Sequence, residues 1–190
     1  MTRARRALLF LLLALPLLGA GATGGGGEKV FVQYAPSPPT SLDPAKTNRI
    51  HDDRIIWLLY DALTQISGDG TRMLPALAES WEKSADGLTY TFTLRRNVRF
   101  HDGSPLDAEA VKISYERQYA RGSPHYSAAP PNVYERTLSG LVKEIRVLDA
   151  HTVAITLAYP RPHEFSVVKI VSPAALRGHG NDLSRAPAGT

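Results

Sequence analysis

The chain of 190 residues contains no cysteine. That absence excludes a disulfide framework, a thiolate zinc site, an iron–sulfur cluster, a catalytic thiol and a lipid-modified N-terminal cysteine. Long hydrophobic runs are missing too. The apolar stretch at residues 7–18 is about a dozen residues, short of the roughly 20 that span a bilayer. Neither H-E-x-x-H nor G-x-S-x-G occurs, and no repeat recurs at solenoid periods. With 43% apolar residues, the length suffices for one ordinary domain with a real core.

One charge balance needs dissection. The formal net charge is +4, which on its own suggests an acidic partner such as nucleic acid. Residues 1–22 read as a secretory signal peptide. Arg3, Arg5 and Arg6 form its positive start, residues 7–18 its apolar centre, and Ala20-Gly21-Ala22 a small-residue cleavage site. The alternative is an uncleaved N-terminal anchor. Cleavage near Ala22 leaves 19 of the 22 basic residues against 18 acids, scattered and without a basic stripe. Nucleic-acid binding then has no support. Residues 23–28 form a glycine-rich flexible linker. They are no P-loop, because Gly-Lys-Ser/Thr does not follow.

Residues 29–35 alternate like a short strand, closed by Pro36, Pro38 and Pro39. Ser41-Leu42-Asp43-Pro44 is a turn. Residues 52–63 read as a helix with Ile55, Leu58, Leu59, Ala62 and Leu63 on its buried face. Asp52 and Asp53 read as solvated acids in its first turn. Trp81 to Ser84 and Leu88 to Arg95 form a hairpin about Asp86-Gly87, with Leu88, Tyr90, Phe92 and Leu94 sharing one face. Asp107 caps a helix over 108–119. Residues 121–131 read as loop. A second hairpin joins 141–148 to 152–158, and residues 164–170 suit a short helix. Residues 178–190 show no packing pattern. The sum is α+β.

Candidate chemistry is sparse. His101-Asp102-Gly103 reads as a turn rather than an acid–base pair, and Asp69 between two glycines lacks the remaining calcium-loop ligands. Trp57, Trp81 and the tyrosines can stack a ligand but suit the core better. No catalytic constellation, metal site or cofactor site is indicated.

The order of motifs says more. Ser41-Leu42-Asp43-Pro44, Tyr60-Asp61-Ala62-Leu63, Pro75-Ala76-Leu77-Ala78-Glu79-Ser80-Trp81, residues 86–95 and Val98-Arg99-Phe100-His101-Asp102-Gly103-Ser104-Pro105-Leu106 follow one another at set spacing. Residues 108–114 and 152–157 continue the series. Together they resemble the N-terminal part of family 5 extracellular solute-binding proteins, the dipeptide, oligopeptide and nickel receptors of ABC importers. Two departures are Ala110, where the family usually has an acid, and Arg96-Asn97 in place of a commoner turn.

The resemblance implies part of a bilobal type II periplasmic-binding-protein fold (α+β / α/β) that closes on its ligand by hinge motion. It divides the chain into an opening segment of lobe I at 29–55, a small α+β subdomain at 56–172 and a return to lobe I at 173–190. It implies a monomeric, non-enzymatic, periplasmic receptor for peptides or similar small solutes, served by an inner-membrane ABC permease. Ligand identity stays open among peptides, nickel complexes, sugars and opines. Thr47, Asn48 and Arg49, just after the Leu-Asp-Pro turn, are the implied ligand contacts. Pro187-Ala188-Gly189-Thr190 matches the start of a Pro-x-Gly-Thr-Gly-Pro-aromatic motif, so a non-functional truncated remnant is the alternative. A small exported enzyme is a third reading. A leading strand without partners leaves edges exposed. Residues 23–190 alone are therefore expected to be marginally stable, and a steep, cooperative denaturation curve would contradict this.

Overall fold

The computed structural model describes residues 38–47, 49–127 and 133–190. The signal peptide at 1–22, the linker at 23–28, the strand at 29–35 and Asn48 lie outside the described residues.

The elements are α1 (Ile50–Leu59), β1 (Thr64–Ile66), β2 (Met73–Pro75), β3 (Ala78–Lys83), β4 (Thr89–Leu94), α2 (Ala108–Tyr119), α3 (Val133–Leu141), β5 (Val142–Asp149), β6 (Thr152–Leu157), a 3-10 turn (Pro162–Ser166) and α4 (Pro173–Gly178). Both expected hairpins form, and they join into one antiparallel sheet of order β3-β4-β6-β5. In the first turn, the Asp86 carboxylate accepts from Leu88 N–H at 3.0 Å, and Gly87 takes φ 74°, which suits glycine. Between the hairpins Thr89 faces Thr156, their hydroxyls 3.0 Å apart. Edge strands β3 and β5 carry register irregularities near Ala78, Val142 and Val147.

The period-two pattern of β4 buries Tyr90, Phe92 and Leu94. Phe165 of the 3-10 turn packs on this face, with ring centroids 4.8 Å from Phe92 and 4.9 Å from Tyr90. Val111 and Tyr115 of α2 and Leu138 and Leu141 of α3 complete the main core. Asp107 caps α2 as its sequence position predicts, accepting from Ala110 N–H at 2.8 Å. Yet α2 is buried on several sides. Ile113 looks away from the sheet into a second cluster with Ile56, Tyr60, Val171, Leu176, Leu183 and Ala188.

Four sequence expectations need correction. Helix α1 ends at Leu59, and Tyr60 is extended (φ −138°, ψ 136°). Its inward stripe is Asp52, Ile56 and then Tyr60, whereas Leu58 is exposed. Ala62 and Leu63 are buried from an extended segment, with Ala62 bridged to Lys169. Second, α3 and the short β1–β2 ladder carried no recognised signal; each strand of that ladder has only three residues. Third, the expected helix at 164–170 is the earlier 3-10 turn, opened by Pro162. Fourth, the tail packs. Leu183 and Ala188 are buried, Ser172 N–H donates to Ala188 O at 3.0 Å, and His101 N–H donates to Gly189 O at 2.8 Å. Gly189 lies so close to α1 that a Cβ there would sit 1.9 Å from Leu59 O.

The second cluster is organised around a buried ion pair. Arg117 of α2 grips Asp43 with Nη1–Oδ1 at 2.7 Å and Nη2–Oδ2 at 2.9 Å, both side chains 0% exposed. Asp43 also accepts from Ala45 N–H at 2.9 Å and Leu183 N–H at 3.1 Å. Removing either partner strands a buried charge. Asp43→Leu or Arg117→Met alone is expected to cost about 3–5 kcal/mol. The double replacement Asp43→Leu/Arg117→Met is expected to lose less than the sum. Urea denaturation of the three variants measures the coupling, and strict additivity would refute it.

Candidate ligand-binding site

The segment implied to meet ligand is tied to α1 from beneath. Lys46 N–H donates to Asp43 O at 3.0 Å and closes the turn after Leu42. Thr47 Oγ1 then donates to Asp52 Oδ2 at 2.6 Å and accepts from Arg49 N–H at 3.3 Å. Thr40 binds the same carboxylate through its backbone N–H at 3.1 Å and its hydroxyl. Asp52 is thus a buried anchor and not the solvated acid that its position in the first turn suggested. Burial acts to raise its carboxyl pKa. The bonds from Thr40 and Thr47 outweigh burial, so it lies below the ordinary carboxylate range.

Of the three implied contacts, Thr47 is buried and engaged in this network. Arg49 is exposed at the N-cap position of α1, without a side-chain capping bond. Asn48 lies outside the described residues. Fixing Asp52, Ile56 and Tyr60 inward turns the opposite face of α1 outward. There Ile50 is 72% exposed, Trp57 55% and Leu58 62%, seven and eight residues on from Ile50 and so on one helical face. Scattered exposed apolar residues are ordinary; three on one face, continuing from Arg49, form a patch.

Lys169 lies behind this patch. Its Nζ sits 3.3 Å from the Trp57 ring centroid, although the residue itself is buried. Burial pushes its pKa down to about 8, while Asp61 and Asp53 pull the other way. Asp53 is raised, by burial first and by Asp52 next. The sequence marked Trp57 as a possible stacking residue, but nothing in it pointed to Lys169, which arrives from beyond the 3-10 turn.

The His101-Asp102-Gly103 turn borders a cleft of about 420 Å³ that also includes Ser104, His179 and Ala188. Asp102 is occupied structurally. It accepts from Ser104 N–H at 2.9 Å and from the hydroxyls of Ser104 and Ser172, and Ser172 in turn caps α4. Burial acts to raise its carboxyl, but these bonds hold it below the usual range. Asp69 likewise closes its turn, bonded to Ser67 and Thr71, and is lowered to about 2. Among the described residues, no three His, Asp or Glu side chains gather to hold a metal ion.

Residues 72–190 match the bacterial extracellular solute-binding proteins, family 5 middle region. The probable D,D-dipeptide-binding periplasmic protein DdpA of Escherichia coli K12 is 35% identical over 156 residues, covering 77% of this chain and 28% of that protein. Di/tripeptide-binding protein 2 of Pseudomonas aeruginosa is 30% identical over 208 residues, covering 99% of this chain and 39% of that protein. Among solved structures, the periplasmic binding protein DppA of Helicobacter pylori in complex with the peptide STSA superimposes with TM-score 0.71 at 30% identity, covering 80% of this chain and 33% of that one. The chain belongs to the family 5 extracellular solute-binding proteins, and its described residues form an α+β portion of the type II periplasmic-binding-protein fold. It spans between about a quarter and two-fifths of the length of these curated relatives.

Lys169 gives a check on the patch that needs no ligand. Its pKa is about 8 in the folded chain and near the ordinary 10.5 when unfolded. Between those values the unfolded chain binds more protons, so this group makes stability rise with pH across that window. Below pH 8 the buried ammonium exerts its full cost. Lys169→Met is expected to raise stability at pH 7, on the order of 1–3 kcal/mol, and to abolish this rise. Denaturation midpoints of both proteins at stepped pH measure it; parallel profiles would refute it.

Proposed function

We propose that this chain supplies part of a receptor that captures short peptides outside the cytoplasmic membrane and delivers them to an inner-membrane ABC permease. The observation that carries this reading is the likeness, at 30–35% identity, to proteins named as dipeptide- and tripeptide-binding. Its action is binding without covalent chemistry, cofactor or metal, and it works as a monomer. The leader at 1–22, cleaved near Ala22, takes it to the periplasm.

In this reading Thr47, Asn48 and Arg49 form the ligand-facing edge. Thr47 acts mainly by position, because its hydroxyl already bonds Asp52 and Arg49 N–H. Arg49 offers an exposed guanidinium suited to a peptide carboxylate or carbonyl. The apolar face of α1 continues from it and suits peptide side chains.

Thermal-shift titration of the full chain against dipeptides, tripeptides, nickel–histidine and opines tests this. Di- or tripeptides are expected to raise Tm. Arg49→Ala is expected to weaken that binding about tenfold without lowering the Tm of the free protein. Thr47→Val is expected to lower the free Tm through Asp52. Stabilisation by nickel–histidine or an opine alone would replace the peptide, and stabilisation by none would overturn the receptor reading.

A further inference from the structure

A second pocket, of about 280 Å³, lies where the connection from β4 to α2 meets the β5–β6 turn. Arg96, Asn97, Arg99 and His151 form its polar wall, and Val98, Pro105 and Leu106 its apolar wall. No carboxylate lines it. Between Asp86 and Asp102 the sequence carries three arginines and no acid.

The pocket is stitched together by backbone. Leu106 N–H donates to Val98 O at 3.0 Å, Leu94 N–H to His151 O at 2.8 Å, and Ala108 N–H to Ala150 O at 2.9 Å. Asn97 takes φ 63°, the left-handed conformation that asparagine tolerates, and so turns the chain between Arg96 and Arg99. Its cationic groups are under-used. Arg99 spends one N–H, donating from Nη1 to Gly103 O at 2.8 Å. Arg96, by contrast, makes no side-chain hydrogen bond or ion pair among the described residues. His151 Nδ1 is buried and has no hydrogen-bond partner among the described residues. Asp107, next to Leu106, is engaged as the cap of α2, accepting from Ala110 N–H at 2.8 Å. Asp149, the acid nearest His151 in sequence, is bonded by His151 N–H at 2.7 Å, and that bond and Thr152 hold its carboxyl below the usual range.

Two guanidiniums donate only, and an amide and an imidazole can donate as well. Such a set matches a ligand with acceptors on several sides. A carboxylate presents two oxygens in one plane, whereas a phosphate presents three or four. The volume exceeds that of a bare phosphate, and the Val98–Pro105–Leu106 wall suits an ester substituent. We propose that this pocket binds a phosphate oxyanion, free or as a phospholipid headgroup. The site goes beyond the receptor reading and does not rest on it.

Titration of the full chain with inorganic phosphate, followed by NMR at the His151 ring and the arginine side-chain N–H groups, tests the first source. Vesicles of phosphatidylcholine with and without phosphatidylglycerol test the second by co-sedimentation. Saturable phosphate shifts at His151 and the arginines are expected. Arg96→Gln is expected to weaken them about tenfold with unchanged Tm, since Arg96 is exposed and unpaired. Arg99→Lys is expected to retain part of the affinity. Phosphatidylglycerol-dependent sedimentation that phosphate competes away identifies a headgroup site, and phosphate binding without sedimentation a free-phosphate or phosphoester site. Absence of both signals, or binding indifferent to Arg96→Gln together with Arg99→Gln, would overturn the proposal. Peptide binding by the same variants is expected to be unchanged, which separates this site from the receptor reading.

Discussion

The bidentate contact between Arg117 and Asp43 organises the part of the molecule that carries the candidate site. Two full charges are withdrawn from water, and their desolvation is offset only because the geometry is close and Asp43 gains two further N–H donors. Through those contacts one carboxylate joins the turn after Leu42, the far end of α2 and the chain at Leu183. These lie 74 and 140 residues from Asp43 in sequence. Helix α2 is thereby held as a wedge, its one side against the sheet and Ile113 in the second cluster.

From that anchor the orientation of α1 follows. Asp52, held by Thr40 and Thr47, fixes which side faces in, so Ile50, Trp57 and Leu58 face out. A polar residue thus determines the apolar surface. Lys169 adds a buried cation under Trp57, opposed by two carboxylates at longer range. Arg49 and the patch on α1 are therefore joined by one hydrogen-bonded frame through Thr47 and Asp52.

Where periodicity and local chemistry coincide, the sequence is legible. Strand β4 reads correctly because its alternating Tyr90, Phe92 and Leu94 admit one face, and α2 because Asp107 is a capping residue at the right place. Helix α1 misleads because its inward stripe begins with an aspartate, which no hydrophobic pattern reveals. The β1–β2 ladder is too short for alternation to register. The tail looks patternless because its fit depends on the missing side chain of Gly189 against Leu59 O, a contact across the fold. For the site, the motif series located the family, and the segment at 47–49 is a contact that the resemblance implies; the Arg117–Asp43 and Lys169–Trp57 pairs span distances that local reading cannot bridge.

The two rims of the sheet have a consequence for how copies of this chain meet. Strand β3 carries Glu79, Glu82 and Lys83, and β5 carries Lys143, Glu144 and Arg146, while irregular pairing near Ala78, Val142 and Val147 bends both. Charge and curvature together make each rim a poor template for an incoming strand. Copies of this chain thus have little access to cross-β growth through β3 or β5, and among the described residues the three most exposed large apolar side chains lie instead on helix α1.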